Sequence, residues 1–292
     1  MEIKIFTSKS WKDYALLDTG EGEKLERFGA YTFVRPYEDA IWEKTLLKSV
    51  WDGADGRFLS SKTGERAGWR IEKKVPEKWV MNYKGIKFYT SPTPFRHLSF
   101  FPEQASHWDF IEEKIKNAGR PVKFLNLFGY TGVASLVALY AGAEVTHVDA
   151  SKQSINLAKE NQNLSGMADK PMRVIVDDAL KFIEREAKRG NKYDCVIMDP
   201  PKFGRGPKGE VWKTEEKLQQ LLSGVAKILS KKPLFVILTS YATDASSLSL
   251  GYALTDAMRG ISGKVEPGEL CIKEESRGRS ITLANTAVWT FL

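Results

Sequence analysis

Val122-Lys-Phe-Leu-Asn-Leu-Phe-Gly-Tyr-Thr-Gly-Val-Ala-Ser-Leu-Val-Ala-Leu-Tyr-Ala-Gly142 decides the fold. Its apolar start, 122–127, reads as a buried strand. A loop with Gly129 and Gly132 follows, and then a helix over about 132–142. Downstream the same order repeats. Strands are expected at 144–148, 172–176, 193–198 and 234–238, and helices at 151–164, 179–188, 214–229 and 245–259. A further helix, 107–118, precedes the first strand. Strands alternating with helices imply a parallel sheet covered on both faces. The tail, 269–272 and 280–291, reads as a closing antiparallel hairpin. The expected class is α/β, a doubly wound Rossmann-like sheet with that hairpin at its C-terminal end.

Residues 1–90 read differently. Short aromatic and β-branched runs at 14–17, 29–34, 69–71, 79–81 and 86–89 are separated by Asp- and Gly-rich turns. A helix is expected over 39–50. Ser91-Pro-Thr-Pro94 reads as an extended connector, since each proline pushes its predecessor out of the helical region. Two domains follow, a small β-rich unit over 1–90 and the α/β unit over 91–292.

The chain has 292 residues, 42% hydrophobic and 28% charged, ordinary for a globular protein. The start is polar, and no apolar run approaches the roughly 20 residues needed to span a bilayer. No membrane role and a cytoplasmic location are expected. The two cysteines, Cys195 and Cys271, form no CxxC pair, and the three histidines, His97, His107 and His147, lack ligand spacing. No metal site is expected. Net charge is +7 and the pI is about 9.1, which favours an anionic partner such as nucleic acid.

In doubly wound sheets ligands sit beyond the carboxyl ends of the strands, where strand order reverses. Gly129 and Gly132 lie at such an end and let the backbone approach a ligand, although Gly132 could also ease helix–strand packing. Asp149 ends the second strand about twenty residues after Gly129, the place of an acid that accepts two ribose hydroxyls. Asp178 ends the third strand. Each acid has an alternative use as a helix cap. After the fourth strand comes Asp199-Pro-Pro-Lys-Phe203. Proline removes backbone donors, so this turn presents an acid and carbonyl acceptors beside an aromatic ring. Such a ledge suits a planar, amine-bearing group.

These residues resemble the class I S-adenosylmethionine (SAM)-dependent methyltransferases related to the large-subunit rRNA cytosine-C5 methyltransferase family. The resemblance covers about 83–292. It rests on Phe101-Pro-Glu-Gln104, Leu125 to Gly132, Val148-Asp-Ala-Ser151, Asp177-Asp178 and Asp199 to Phe203. It implies SAM as cofactor, flanked by Phe101 and Gln104 and held by Asn126, Phe128, Gly129, Gly132, Asp149 and Ala150. Asp178 would receive the adenine amino group. Asp199, Pro200 and Phe203 would orient and stack the methyl acceptor. The chain departs from the family in reading Glu103-Gln104-Ala105 for Asp-Gln-Arg. It also lacks a cysteine at Pro200-Pro201 and Thr239-Ser240-Tyr241-Ala242, where the thiolate required for C5 chemistry would stand. A nitrogen acceptor in RNA, such as ribosomal RNA, is therefore expected rather than cytosine C5. Lys202, Arg205 and Lys208 with Trp212 would contact its backbone and stack its bases. Lys273, Arg277 and Arg279 form a second basic cluster. A methyltransferase of a small molecule or protein, and a non-catalytic RNA-binding protein on the same fold, are the alternatives. An NAD oxidoreductase would need a glycine fingerprint that is missing.

Overall fold

Short, turn-punctuated segments near the N-terminus become strands. In chain order come β1 (Lys4–Thr7), β2 (Tyr14–Gly20), β3 (Glu23–Phe28), β4 (Tyr31–Pro36), α1 (Lys48–Asp52), β5 (Gly56–Leu59), β6 (Gly68–Ile71), β7 (Trp79–Tyr83) and β8 (Ile86–Thr90). This computed structural model describes residues 1–8, 11–59, 67–241 and 245–292. Strands β2 to β6 form a sheet in sequence order, and β7 pairs with β8.

Strand β3 escaped the sequence reading because Glu23-Lys-Leu-Glu-Arg-Phe28 looks like a solvated turn. Its Glu26 is fully buried and held by Arg35 of β4 through two bonds of 2.6 Å, and by the Tyr14 hydroxyl of β2 at 2.8 Å. The helix expected over 39–50 is absent, and only α1 forms. Tertiary bonds capture the segment instead. Buried Asp18 accepts the backbone N–H groups of Thr45 (2.9 Å) and Leu46 (2.8 Å) and the Trp51 indole N–H (3.0 Å).

The second half follows the expected alternation. It contains α2 (Ala105–Lys116), β9 (Lys123–Leu127), α3 (Val133–Tyr140), β10 (Glu144–Asp149), α4 (Lys152–Leu164), β11 (Met172–Val176), α5 (Ala179–Lys188) and β12 (Cys195–Met198). A small ribbon, β13 (Phe203–Arg205) and β14 (Val211–Lys213), leads to α6 (Thr214–Ile228), β15 (Phe235–Ser240), α7 (Ser247–Ala257), β16 (Gly263–Lys273) and β17 (Ser280–Phe291). The main sheet runs β1-β16-β17-β15-β12-β9-β10-β11. Strands β9 to β12 and β15 are parallel, and β17 runs antiparallel to β15. The fold is thus the expected α/β methyltransferase architecture with its C-terminal hairpin. Strand β9 lies between β10 and β12, so chain order reverses there. Ligands of such sheets bind at that reversal, beyond the carboxyl ends.

Two compact units emerge. One holds Met1–Phe6, Ser106–Cys271 and Thr282–Leu292, and the other holds Thr7–Ala105 and Ile272–Ile281. The boundary expected after residue 90 lies inside the second unit. There the segment after β8 folds back, with Ser99 Oγ donating to Ser91 O (3.0 Å) and Phe100 packed on the Phe28 and Phe88 rings. The hairpin tip joins the same unit through Glu275 N–H to Leu16 O (2.9 Å).

Candidate active site

The β9 strand ends at Leu127, and the chain then turns tightly. Phe128, Tyr130 and Gly132 all take left-handed backbone angles, φ 57°, 51° and 87°. Non-glycine residues there cost about 1–3 kcal/mol each and persist where surroundings impose them. The imposing groups lie on β10. Gly129 N–H donates to Val148 O (3.0 Å), and Tyr130 N–H donates to Asp149 Oδ2 (2.8 Å).

Gly129 itself has an ordinary φ. A Cβ there would lie 2.4 Å from the His147 ring, so glycine is dictated by contact. His147 is buried, with Nδ1 2.9 Å from Ser135 Oγ, which in turn accepts from Asn126 Nδ2 (2.9 Å). Burial is the main reason its pKa falls to about 4, so the ring is neutral at physiological pH. Asn126, expected at the cofactor, thus commits its side-chain N–H to an interior network that supports the loop. At Gly132 a Cβ would meet Ala158 Cβ at 2.9 Å, so this glycine serves both the α3 cap and the packing of α4.

Asp149 ends β10 with both oxygens engaged, Oδ2 by Tyr130 N–H and Oδ1 by Ser151 N–H, each at 2.8 Å. Burial raises its pKa, and the two backbone bonds oppose that rise. Each oxygen keeps a second lone pair, so the fixed carboxylate can still accept two hydroxyl donors. The cap of α4 is Ser151, whose Oγ accepts from Ser154 N–H (3.2 Å), so Asp149 is not that cap. Asp178 does cap α5, with Oδ1 accepting from Lys181 N–H (3.0 Å). Ala150 lies half-buried beside Asp149.

The ledge leaves β12 next to β9. Asp199 is half-buried and Pro200 buried, while Pro201, Lys202 and Phe203 are exposed. Not every carbonyl of the turn stays open. Pro201 O accepts from Trp212 Nε1 (2.7 Å) and Thr214 Oγ1 (2.8 Å). Trp212 is only 3% exposed, and its ring centroid lies 5.0 Å from that of Phe128. Trp212, expected to stack RNA bases, thus faces inward and ties the ledge to the loop after β9. In the ribbon Phe203 lies opposite Lys213 and Arg205 opposite Val211. Strand alternation puts these four on one face and Trp212 on the other. Phe203, Arg205, Val211 and Lys213 are all exposed, as are Lys202 and Lys208.

Cys195 and Cys271 are buried, and burial pushes both thiols above the ordinary range, which disfavours the thiolate. Thr239 and Ser240 are buried, and Ala242 lies outside the described residues. Among the described residues no His, Cys, Asp or Glu cluster could hold a metal, and no helix is long and apolar enough to cross a membrane. Phe101 and Gln104 belong to the unit of Thr7–Ala105, with Phe101 beside His97 (5.3 Å) and Gln104 buried in the turn Pro102–Gln104.

The sequence reading missed Tyr130, Ser135 and His147. Tyr130 stood inside the quoted motif, but no pattern signals a left-handed tyrosine. His147, two residues before Asp149, carries no pattern that marks it as a packing partner of Gly129.

The family described as "Conserved hypothetical protein 95" matches residues 106–246. A crystal structure of a SAM-dependent methyltransferase from Agrobacterium tumefaciens superimposes with a TM-score of 0.94 and 44% identity, covering 98% of this chain and 93% of that one. Ribosomal RNA large subunit methyltransferase K of Neisseria meningitidis is 24% identical over 72% of this chain and 61% of its own length. The K/L methyltransferase of Shewanella frigidimarina is 33% identical over 55% of this chain and 22% of its own length. This chain therefore spans less than two thirds of these curated relatives. The chain belongs to the class I SAM-dependent methyltransferases. SAM is the cofactor of that class, and the site fits it, because Asp149 is a half-buried, backbone-fixed carboxylate with two acceptor positions left.

Proposed function

We propose that this enzyme methylates a nitrogen of a base in RNA, with ribosomal RNA the substrate class. The observation that carries the reading is the Asp199-Pro-Pro ledge at the carboxyl end of β12, adjacent to β9 at the strand-order reversal. Bound SAM supplies an electrophilic methyl on a sulfonium, so the chain's task is to position the acceptor. Asp149 would hold the ribose, Asp178 the adenine amino group, and the loop from Phe128 to Gly132 would line the cofactor site with Ala150. Asp199 accepts an N–H of the target base and, with the Pro200 carbonyl, turns the nitrogen lone pair toward the methyl. Phe203 stacks on the base. The proton that the nitrogen gives up on methylation would pass through Asp199 to solvent.

Three observations support RNA. The relatives named above carry ribosomal RNA in their names. The chain carries +7. Lys202, Arg205 and Lys208 are exposed where the chain leaves the ledge. A nitrogen is favoured because both thiols are buried and proton-retaining.

Radiolabelled SAM, offered to total RNA, protein and small-molecule extract from cells lacking this protein, tests the reading. Label should enter RNA and yield a nucleoside methylated on nitrogen. Asp199→Ala should lose at least about 100-fold in rate while retaining SAM binding. Undiminished turnover in that variant would overturn the role of Asp199. Label confined to another fraction would overturn RNA, and 5-methylcytidine would overturn nitrogen.

A further inference from the structure

Phe95 is 67% exposed at the tip of a turn that the unit of Thr7–Ala105 holds firmly. Thr93 Oγ1 donates to His97 O (2.8 Å) and accepts from Phe95 N–H (3.2 Å). The Trp69 indole N–H is shared between Thr93 O (2.8 Å) and Phe95 O (2.9 Å). Arg35 Nη1 donates to Arg96 O (3.0 Å), and Arg35 is itself rooted in its two bonds to buried Glu26. A single exposed aromatic is common and by itself means little. Here the backbone on both sides of the ring is locked, so the ring is presented in place.

The ring also does not stand alone. Phe95 and His97 are stacked, with centroids 5.7 Å apart and planes 30° from parallel. His97 in turn meets Phe101 at 5.3 Å. The three rings step from solvent to the half-buried Phe101. Burial, with the charges of Arg35 and Arg96, lowers the His97 pKa to about 4, so its ring is neutral at physiological pH. Arg96, between the first two rings, has a side chain 61% exposed, and its ion pair with exposed Glu38 is long at 3.4 Å. Such solvated pairs contribute little, so its charge can be redirected toward a phosphate.

We propose that the Phe95–His97 stack, with Arg96 beside it, is a platform on which the N-terminal unit stacks an unpaired base of the RNA substrate. Aromatic rings bind single strands through base faces, with a cation tracking the backbone. A duplex, whose bases are already stacked on each other, offers no free face to Phe95. The inference rests on the RNA reading above and adds where single-stranded character is sensed.

The test uses the full chain with an unstructured oligoribonucleotide, a duplex of matched length, and a single strand carrying 2-aminopurine. Phe95 is exposed, so replacing it should leave folding and affinity for S-adenosylhomocysteine (SAH) unchanged. Phe95→Ala and Phe95→Leu should each weaken single-strand binding by about 5- to 150-fold, the equivalent of one base stack. Phe95→Tyr should restore it, and duplex binding should not move. The 2-aminopurine fluorescence quenched by the wild type should recover with Phe95→Ala. If the wild type binds single strands and Phe95→Ala binds them equally well with quenching intact, the platform is overturned and the RNA reading stands. If the wild type binds no RNA at low salt, both fall together.

Discussion

Gly129 is glycine because of a histidine. Its φ is ordinary, yet a methyl group there would sit 2.4 Å from the His147 ring, which is locked to Ser135 beneath the loop. Overpacking of this kind costs about 1–3 kcal/mol. Gly129→Ala should therefore weaken SAH binding at least about fivefold, measured by calorimetry. Adding His147→Ala should recover much of that loss by making room. Wild-type affinity in Gly129→Ala would show that the loop does not need this contact. The position of Gly129 was legible from the motif, whereas its reason was not. The partner comes from a different strand, paired in the register that sets His147 beside Asn126. The position of Asp149 at the end of β10 was legible too, whereas its freedom from capping α4 was settled only by Ser151 taking that role. The two backbone bonds that fix it depend on the left-handed Tyr130, which no residue type announces.

At the scale of elements, the ribbon after the ledge was the largest surprise. The stretch from Lys202 to Lys213 read as a polar loop with cations and an aromatic for RNA. As a ribbon it sorts them: Phe203, Arg205, Val211 and Lys213 face outward, and Trp212 faces the core. Trp212→Phe should keep the ring against Phe128 but remove the N–H bonded to Pro201 O. That bond is worth about 0.5–1.5 kcal/mol. Methyl transfer should slow by up to about tenfold, with SAM affinity changed less than about twofold. Equal loss in kcat and in SAM affinity would mean that Trp212 supports the cofactor loop alone. The expected helix over 39–50 failed for a similar reason. Its backbone donors at Thr45 and Leu46 go to Asp18, which its own sequence cannot foresee.

Across the whole molecule, the N-terminal unit is built around buried charge. Glu26 meets Arg35 in two short bonds, with Lys24 at 3.4 Å. Burial alone would raise the Glu26 pKa, but Arg35 and Lys24 outweigh it and hold it at about 2, against an ordinary 4.5. A carboxyl with a depressed folded pKa stabilises the fold above its unfolded value. That contribution fades as pH drops through the folded value. The wild type should thus lose thermal stability between pH 4.5 and about 2, and Glu26→Gln should flatten that part of the profile. At pH 7 the variant should cost about 3–5 kcal/mol, because two buried cations lose their partner. An unchanged melting temperature would contradict this account.

The sequence by itself determined the parallel α/β sheet, its closing hairpin and the strand ends that carry Asp149, Asp178 and Asp199. Those features follow from local periodicity and from chemistry at strand termini, which a linear pattern records. Only the tertiary structure decided that Asn126 and Trp212 face inward, that His147 demands Gly129, and that Phe95 is held out on a locked turn. It also decided that the hairpin tip groups with the N-terminal unit. Each of these depends on partners far apart along the chain, brought together by sheet register and by hydrogen bonds that leave no periodic trace.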